Sequence, residues 1–295
     1  MLKHRLFFGA LMTVAFTAIV LFDSWLGDFQ FSIANCQFRL PQGTLFAALI
    51  VALVVLGQIE FASLLAAKNL KAFTPVSIVT SAALAIVPIF NPSTLLRTSF
   101  QLSIVNFVLA FGLLILLLYQ YLWCGTSGVL ANCGANCFSI IYLGLLSSFA
   151  LAIRVDFGVW PLLMFVFVVK SADIGAYAVG TLFGKHKFSP RVSPGKTWEG
   201  AGGAAAAAVV VALAFAAGFD IMSWQWAAAF GLFLACVGQA GDLTESMIKR
   251  DAGRKDAANK VPGFGGILDI VDSPLVAAPF AYLFFMLLRG SALAN

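Results

Sequence analysis

Charged residues are scarce in this sequence. Asp, Glu, Lys and Arg make up 11% of its 295 residues, whereas hydrophobic residues make up 61%. Soluble globular domains carry about 25% charged residues, so the composition excludes an ordinary soluble domain. Because the apolar residues come in long uninterrupted runs, the sequence predicts an all-α polytopic membrane protein.

Acidic residues are fewer than basic residues, and the formal net charge is +5. A basic excess is also found in nucleic-acid-binding proteins. Here the basic residues lie in segments between apolar runs, where the positive-inside rule of membrane proteins accounts for them. We therefore expect the lipid bilayer, and no nucleic acid, as a partner of this protein.

Paired cysteine motifs are also absent. The five cysteines, Cys36, Cys124, Cys133, Cys137 and Cys236, form no C-x-x-C pair, and no histidine lies near the loose group of the middle three. Zinc and redox centres usually carry such pairs or a complete set of ligands. The pattern therefore favours a packing role for these side chains.

Apolar runs divide the chain, each close to the roughly 20 residues that cross a bilayer. They cover about residues 6–26, 43–66, 74–90, 104–123, 136–153, 157–182, 200–219, 224–244 and 267–288. These runs predict about nine transmembrane helices. With a cytoplasmic N-terminus, 13 of the 18 basic residues fall on the inner side and four on the outer side, as the positive-inside rule requires. We expect a multi-pass protein of the cytoplasmic (inner) membrane, with its polar loops and active site on the cytoplasmic side.

The two parts of the chain differ in their chemistry. Residues 1–155 predict N-terminal transmembrane helices with few polar side chains. Glu60 is an exception, because it lies inside the second apolar run, where a carboxyl group is costly and usually functional. A basic partner, a lipid headgroup and a position near the interface all stay open for it. Residues 156–295 predict a catalytic transmembrane domain with two cytoplasmic loops.

One apolar run of this second part carries a polar stripe. Lys170, Asp173 and Tyr177 recur at helical spacing, which places them on one face of a helix. That face is expected to point into the protein interior or into a water-filled cleft. A buried ion pair between Lys170 and Asp173 is the simpler alternative.

The following polar loop has the features of a helix start. Thr197 or Ser193 can cap the helix, and Lys196 stands at its positive end, which predicts a phosphate-binding loop. The spacing of a Walker loop is absent. Contact with anionic lipid headgroups is the alternative for this basic segment.

Acids and bases also collect between the last two apolar runs. Two groups each share a helix face: Asp242, Glu245 or Ser246, and Lys249 in the first, and Asp269, Asp272 and Ser273 in the second. The loop between them contains Lys255, Asp256 and Lys260, followed by Gly263, Gly265 and Gly266. Two helix ends that each present a carboxyl group predict a divalent-metal and phosphate site, and the glycines allow a sharp turn or close approach of a ligand. A merely solvated loop is disfavoured because Asp269 and Asp272 lie within an apolar run.

Four blocks of this second part keep fixed spacings of polar residues and glycines. They are Ser171-Ala-Asp173-Ile-Gly-Ala-Tyr177, Gly184-Lys-His-Lys187, Ser193-Pro-Gly-Lys196-Thr-Trp-Glu199-Gly, and Ser246-x-Ile248-Lys249-Arg250-x4-Lys255-Asp256 followed by Pro262-Gly263-x-Gly265-Gly266-Ile267-x-Asp269-x-x-Asp272. Together they resemble the CDP-diacylglycerol synthase (phosphatidate cytidylyltransferase) family over about residues 165–280. The chain departs from the family pattern at Phe264, where His is usual, at Ile270, where Arg is usual, and more mildly at Val261.

The resemblance implies that CTP and phosphatidate react to give CDP-diacylglycerol and pyrophosphate for phospholipid synthesis. It implies Mg²⁺, as one ion or a pair, with Asp242, Asp269 and Asp272 as ligands. The implied catalytic residues are Asp242, Asp269, Lys249, Lys255 and Asp256. The implied substrate-binding residues are Asp173, Tyr177, Ser193, Lys196, Thr197, Glu199, Ser246, Arg250, Gly265, Gly266 and Asp272. A homodimer is compatible with this prediction.

Two other functions stay open at this point. One is a different CTP-dependent enzyme, a transferase or kinase that acts on another membrane lipid. The other is a transporter or channel lined by acidic residues. The transporter is disfavoured because the polar residues are expected on one side of the membrane, whereas a conduit needs them through its full depth.

Overall fold

The computed structural model describes residues 2–28, 30–33, 36–39, 41–90, 97–258 and 265–293. The helices in these ranges are α1 Leu2–Asp28, α2 Thr44–Ala67, α3 Thr74–Ile86, α4 Arg97–Cys124, α5 Val129–Ser139, α6 Leu146–Phe157, α7 Val159–Phe183, α8 Trp198–Phe219, α9 Trp224–Asp251 and α10 Leu268–Leu293. A 3₁₀ turn, Val87–Ile89, follows α3, and a π-helical stretch, Ile140–Leu145, joins α5 to α6. Two short strands, β1 Gln30–Ile33 and β2 Cys36–Arg39, pair in antiparallel register.

The prediction of an all-α polytopic membrane protein is confirmed. In the described part of the chain, eight spans are helical, long and apolar enough to cross a membrane, and they correspond to eight of the predicted runs. The remaining run, at 74–90, forms a shorter apolar helical segment, Thr74–Ile89. The hydropathy pattern does not predict the two short strands. The number of crossings and the cytoplasmic N-terminus stay predictions.

The chain forms two compact units. The first consists of Met1–Val155 and Asp256–Leu268, and the second of Asp156–Lys255 and Asp269–Asn295. The segment Asp256–Leu268 therefore belongs to the first unit, although α9 and nearly all of α10, which flank it in sequence, belong to the second. The functional division of the chain at residue 155 stays a prediction.

In the first unit, a buried ion pair lies at the start of α2. Asp23 on α1 and Arg154 on α6 are 3% and 1% exposed, and a carboxyl oxygen lies 2.8 Å from a guanidinium nitrogen. Asp23 also accepts hydrogen bonds from the backbone N–H groups of Gly43 and Leu45, at 3.1 and 2.8 Å. Its carboxyl group therefore satisfies N–H groups that a helix start leaves without intrahelical partners.

In the second unit, α7, α8 and α9 pack with their backbones in close contact. A Cβ atom on Gly175 of α7 would lie 2.5 Å from the carbonyl oxygen of Gly203 on α8. A Cβ atom on Gly231 of α9 would lie 2.8 Å from the carbonyl oxygen of Ala208 on α8. Small residues allow this close helix packing in membranes. It brings polar side chains of α7 and α9 to one cavity near the start of α8.

Candidate active site

The loop between α7 and α8 folds back on itself and ends in a capped helix. The backbone of Lys187 forms an isolated antiparallel bridge with Thr197. The Thr197 hydroxyl accepts a hydrogen bond from the Gly200 N–H at 3.1 Å, so Thr197, rather than Ser193, caps α8. Glu199 accepts bonds from the backbone N–H groups of Lys185 and His186 at 3.1 and 3.2 Å. These contacts fix the loop against the first turn of α8.

A cavity of about 230 Å³ lies between this loop and helices α7, α8 and α9. Six of the residues that the sequence predicts for the site line it: Asp173, Tyr177, Ser193, Lys196, Thr197 and Asp242. Tyr177 is 58% exposed. Asp173 and Tyr177 of the polar stripe of α7 thus line a cavity, as one of the sequence interpretations expects.

Three carboxyl groups meet beside this cavity. Asp242 and Glu245 of α9 and Asp272 of α10 each offer an oxygen within 4.8 Å of the others. Glu245 and Asp272 are 3% and 6% exposed. Among the residues that the structure describes, none donates a hydrogen bond to Glu245 Oε1. Oxygen ligands of this kind are those that hard divalent cations such as Mg²⁺ prefer, so the three residues fit a bound divalent metal ion.

Lysine side chains accompany these acids. Lys196 Nζ lies 2.9 Å from Asp242 Oδ2 and donates to the carbonyl oxygen of Gln239 at 3.0 Å. Lys249 Nζ donates to Asp269 Oδ1 at 2.5 Å and also pairs with Glu245. Ammonium groups therefore lie next to the carboxyl groups.

A further ion pair extends this group along α7. Lys170 Nζ lies 3.2 Å from Asp173 Oδ2, and Asp173 Oδ1 accepts a hydrogen bond from the Ser273 hydroxyl, also at 3.2 Å. The ion pair between Lys170 and Asp173 is therefore present, but it is not buried, since the two side chains are 35% and 28% exposed. We call the following residues the acid–lysine cluster: Asp173, Asp242, Glu245, Asp269, Asp272, Lys170, Lys196 and Lys249.

The charges of the acid–lysine cluster do not balance. Five carboxyl groups face three ammonium groups, so the fully ionised cluster carries a formal charge of −2. One divalent cation would balance this charge. Unpaired charge is expensive in a low-dielectric interior, so the imbalance favours either protonation of carboxyl groups or binding of a cation.

The carboxyl groups that come together differ from the predicted metal ligands. The sequence predicts Asp242, Asp269 and Asp272, whereas the structure groups Asp242 and Asp272 with Glu245 and places Asp269 against Lys249. Glu245 carried a signal in the sequence, since it lies three residues after Asp242 and four before Lys249 on one helix face. The role of Asp269 as a ligand stays a prediction.

The other predicted site residues are spread more widely. Ser246 donates to Asp242 Oδ1 at 3.4 Å, and Arg250 Nε donates to the Val192 carbonyl oxygen at 3.3 Å, which ties the end of α9 to the loop before α8. Lys255 is exposed in the second unit. The remaining ones, Asp256, Gly265 and Gly266, belong to the first unit. Lys260, Val261, Pro262, Gly263 and Phe264 lie outside the described residues.

Comparison with known proteins agrees with the sequence blocks. A model of the Cytidylyltransferase family matches residues 5–288. The phosphatidate cytidylyltransferase of Haemophilus influenzae is 42% identical over 142 residues, which cover 43% of this chain and 46% of that protein. Those of Mycobacterium leprae and Bacillus subtilis are 37% and 36% identical over 166 and 184 residues, covering 55% and 60% of this chain and 52% and 66% of those proteins. The chain spans about half the length of the curated relatives it matches.

Proposed function

Because the chain belongs to the cytidylyltransferase family, we propose that it is a CTP:phosphatidate cytidylyltransferase. An oxygen of the phosphatidate phosphate attacks the α-phosphorus of CTP, the bond between that phosphorus and the bridging oxygen to the β-phosphate breaks, and pyrophosphate leaves. The product is CDP-diacylglycerol. Relatives named phosphatidate cytidylyltransferase support this substrate pair.

One observation carries the proposal: a cation from a capped loop and a cluster of carboxyl groups meet at one cavity. Phosphatidate supplies an oxygen nucleophile that is already anionic, so the main barrier is the repulsion between two anions. Lys196 lies at that cavity and Lys249 within the acid–lysine cluster, where both can pair with phosphate oxygens.

We propose Mg²⁺ as the metal, held by Asp242, Glu245 and Asp272, with Asp269 and a second ion as the extension that the family resemblance implies. When bound, the ion would offset the charge of the phosphates and polarise them. Carboxyl groups that held the ion would attract their lysines less, so Lys196 and Lys249 would be able to turn to the substrate.

The protein is a multi-pass integral membrane protein, since long apolar helices make up most of it. We further propose that it resides in the cytoplasmic (inner) membrane with the cavity on the cytoplasmic side, where CTP is made. The excess of basic residues in the loops of that side supports this orientation. A homodimer is compatible with the proposal.

Two labels of CTP test the reaction. Purified protein in detergent is incubated with phosphatidate, Mg²⁺ and CTP labelled with ³²P at either the α or the γ position. A cytidylyltransferase places the α label in lipid and the γ label in pyrophosphate. A lipid kinase instead places the γ label in lipid, and a transporter places neither, so either result would overturn the proposal.

A matched pair of variants tests the site. Asp242→Asn should lower incorporation of the α label by at least about 100-fold, as expected for loss of electrostatic stabilisation at a reacting phosphate. Asp220→Asn is the control, because Asp220 is an exposed acid at the end of α8 whose left-handed backbone (φ 49°) Asn also adopts. Equal activity of the Asp242→Asn variant and the wild type would exclude the site.

A further inference from the structure

Glu60 is a buried acid of the first unit that the proposed reaction does not use. It lies on α2 and is 1% exposed. Its Oε2 accepts a hydrogen bond from the backbone N–H of Leu268 at 3.0 Å, across 208 residues of sequence. Leu268 is the first residue of α10. The carboxyl group of Glu60 therefore occupies the position of a helix cap that comes from a different helix.

The bond is favourable for two physical reasons. The first N–H groups of a helix have no intrahelical acceptor, and negative charge is stabilised at this end of the helix dipole. Because Glu60 and Leu268 are both buried, no solvent competes for the N–H group. Loss of Glu60 would leave a buried backbone donor unsatisfied.

The chain before α10 is shaped to reach this carboxyl group. Gly265 has a positive φ of 93°, which L-residues with side chains rarely adopt. A Cβ atom on Gly266 would lie 2.5 Å from Glu60 Oε2, so a side chain there would displace the carboxyl group. The Leu268 side chain packs within 3.7 Å of the Cβ position of Gly57, one turn before Glu60 on α2. Both the backbone and the side chain of Leu268 are thus held by α2.

We propose that Glu60 is a positioning residue for the carboxyl groups of α10. Asp269 and Asp272 follow Leu268 by one and four residues, so with a rise of about 1.5 Å per residue they lie within about 6 Å of it along the helix axis. Fixing Leu268 therefore fixes the axial position and rotation of both acids. A displacement of about 1 Å at such a site can lower the rate about 100-fold. The inference rests on the proposed function for its catalytic consequence, but not for its effect on metal binding.

The test measures metal binding directly. Mn²⁺ is titrated into the purified protein in detergent, and the free ion is followed by electron paramagnetic resonance. Glu60→Ala should weaken Mn²⁺ binding by about 10-fold or more, the effect typical of groups that orient metal ligands. Glu60→Gln should stay within about threefold of the wild type, because an amide oxygen still accepts the Leu268 N–H bond.

Gly266→Ala tests the contact between Glu60 and the start of α10 by changing the residue that faces the Glu60 carboxyl group. Its added Cβ atom should push the Glu60 carboxyl group away and weaken Mn²⁺ binding about as much as Glu60→Ala does. Combining Gly266→Ala with Glu60→Ala should add little, because both remove one interaction. Gly134→Ala is the control for the glycine, since nothing lies within 4 Å of a Cβ atom there.

Gln58→Ala is the control for lost stability. Gln58 is also buried on α2, where it donates to the Ser81 hydroxyl and the Ser139 carbonyl oxygen at 2.7 and 3.1 Å. This variant should unfold at a lower temperature with unchanged Mn²⁺ affinity. The inference is overturned if folded Glu60→Ala binds Mn²⁺ like the wild type, or if Gln58→Ala weakens binding equally.

The outcomes separate this inference from the proposed function. If the variants show the expected differences in Mn²⁺ affinity but the wild-type protein makes no CDP-lipid, the proposed reaction is overturned and the role of Glu60 is supported. A wild-type protein that makes CDP-lipid, together with a Glu60→Ala variant of unchanged Mn²⁺ affinity, would overturn the role of Glu60 alone. A wild-type protein that binds no Mn²⁺ would overturn the role of Glu60 and leave the reaction to be decided by the two labels of CTP.

Discussion

Two groups of charges among the apolar helices can be compared, the Asp23–Arg154 pair of the first unit and the acid–lysine cluster of the second. Asp23 has one guanidinium partner and two backbone N–H donors within 3.1 Å. In the acid–lysine cluster, carboxyl groups outnumber ammonium groups by two. A balanced buried pair needs no further partner, whereas an excess of one sign is relieved by protonation or by a bound ion of the other sign. Charge balance therefore separates a structural site from a binding site more clearly than burial does.

The largest effect is expected from breaking the balanced pair. Arg154→Met leaves the Asp23 carboxyl group buried without its ion-pair partner and should lower the free energy of unfolding by about 3–5 kcal/mol. Thermal unfolding in detergent measures the loss. Adding Asp23→Asn to Arg154→Met should restore part of it, because Asn keeps an oxygen for the N–H groups of α2. An unchanged unfolding temperature in Arg154→Met would contradict a structural role.

A smaller effect of different character is expected in the acid–lysine cluster. Glu245→Gln should weaken the binding of Mn²⁺ by about 10- to 100-fold, equivalent to about 1.4–2.8 kcal/mol. In EDTA the same variant should unfold at the wild-type temperature or above, because one excess negative charge is gone. A lower unfolding temperature of Glu245→Gln in EDTA would mean that Glu245 stabilises the fold, as Asp23 does, rather than serving mainly to bind a cation. The control is again Asp220→Asn, which should change neither quantity.

The smallest effect is expected from a neutral cap. Thr197→Val removes the hydroxyl that accepts the Gly200 N–H bond and should lower the free energy of unfolding by about 1 kcal/mol. It changes the charge of neither the Asp23–Arg154 pair nor the acid–lysine cluster. Thr17→Val is matched to it, because the Thr17 hydroxyl bonds to the Thr13 carbonyl oxygen within its own helix. If Thr197→Val changed Mn²⁺ affinity as strongly as Glu245→Gln, loop geometry rather than charge would dominate the site.

The helices of this protein could be predicted because a bilayer imposes a length and a polarity on each of them. The hydropathy pattern predicts less about elements that are too short to cross the bilayer. The short segment Thr74–Ile89 is apolar enough to be counted as a full run, although it is shorter than the eight long spans. The short strands β1 and β2 lie between two long helices and carry no run of alternating residues long enough to indicate them.

The site could be predicted by residue type but not fully by partner. Helical spacing places Asp242, Glu245 and Lys249 on one face, yet it does not say which of Asp269 and Asp272 turns towards them. That choice depends on the rotation of α10, which tertiary contacts determine. The partner of Glu60 could not be predicted from the sequence either. It is the backbone N–H group of Leu268, 208 residues away, and every residue except proline carries such a donor.

The excess negative charge of the acid–lysine cluster also has a kinetic consequence. A free nucleoside triphosphate has the same sign of charge as the cluster and is repelled at short range, whereas its complex with a divalent cation is repelled less. Under the proposed function, we therefore expect that cation-free CTP is a poor competitor and that a cation either precedes the nucleotide or arrives with it. The carboxyl groups that would hold the ion would thus also favour entry of the cation-bound nucleotide over the free nucleotide.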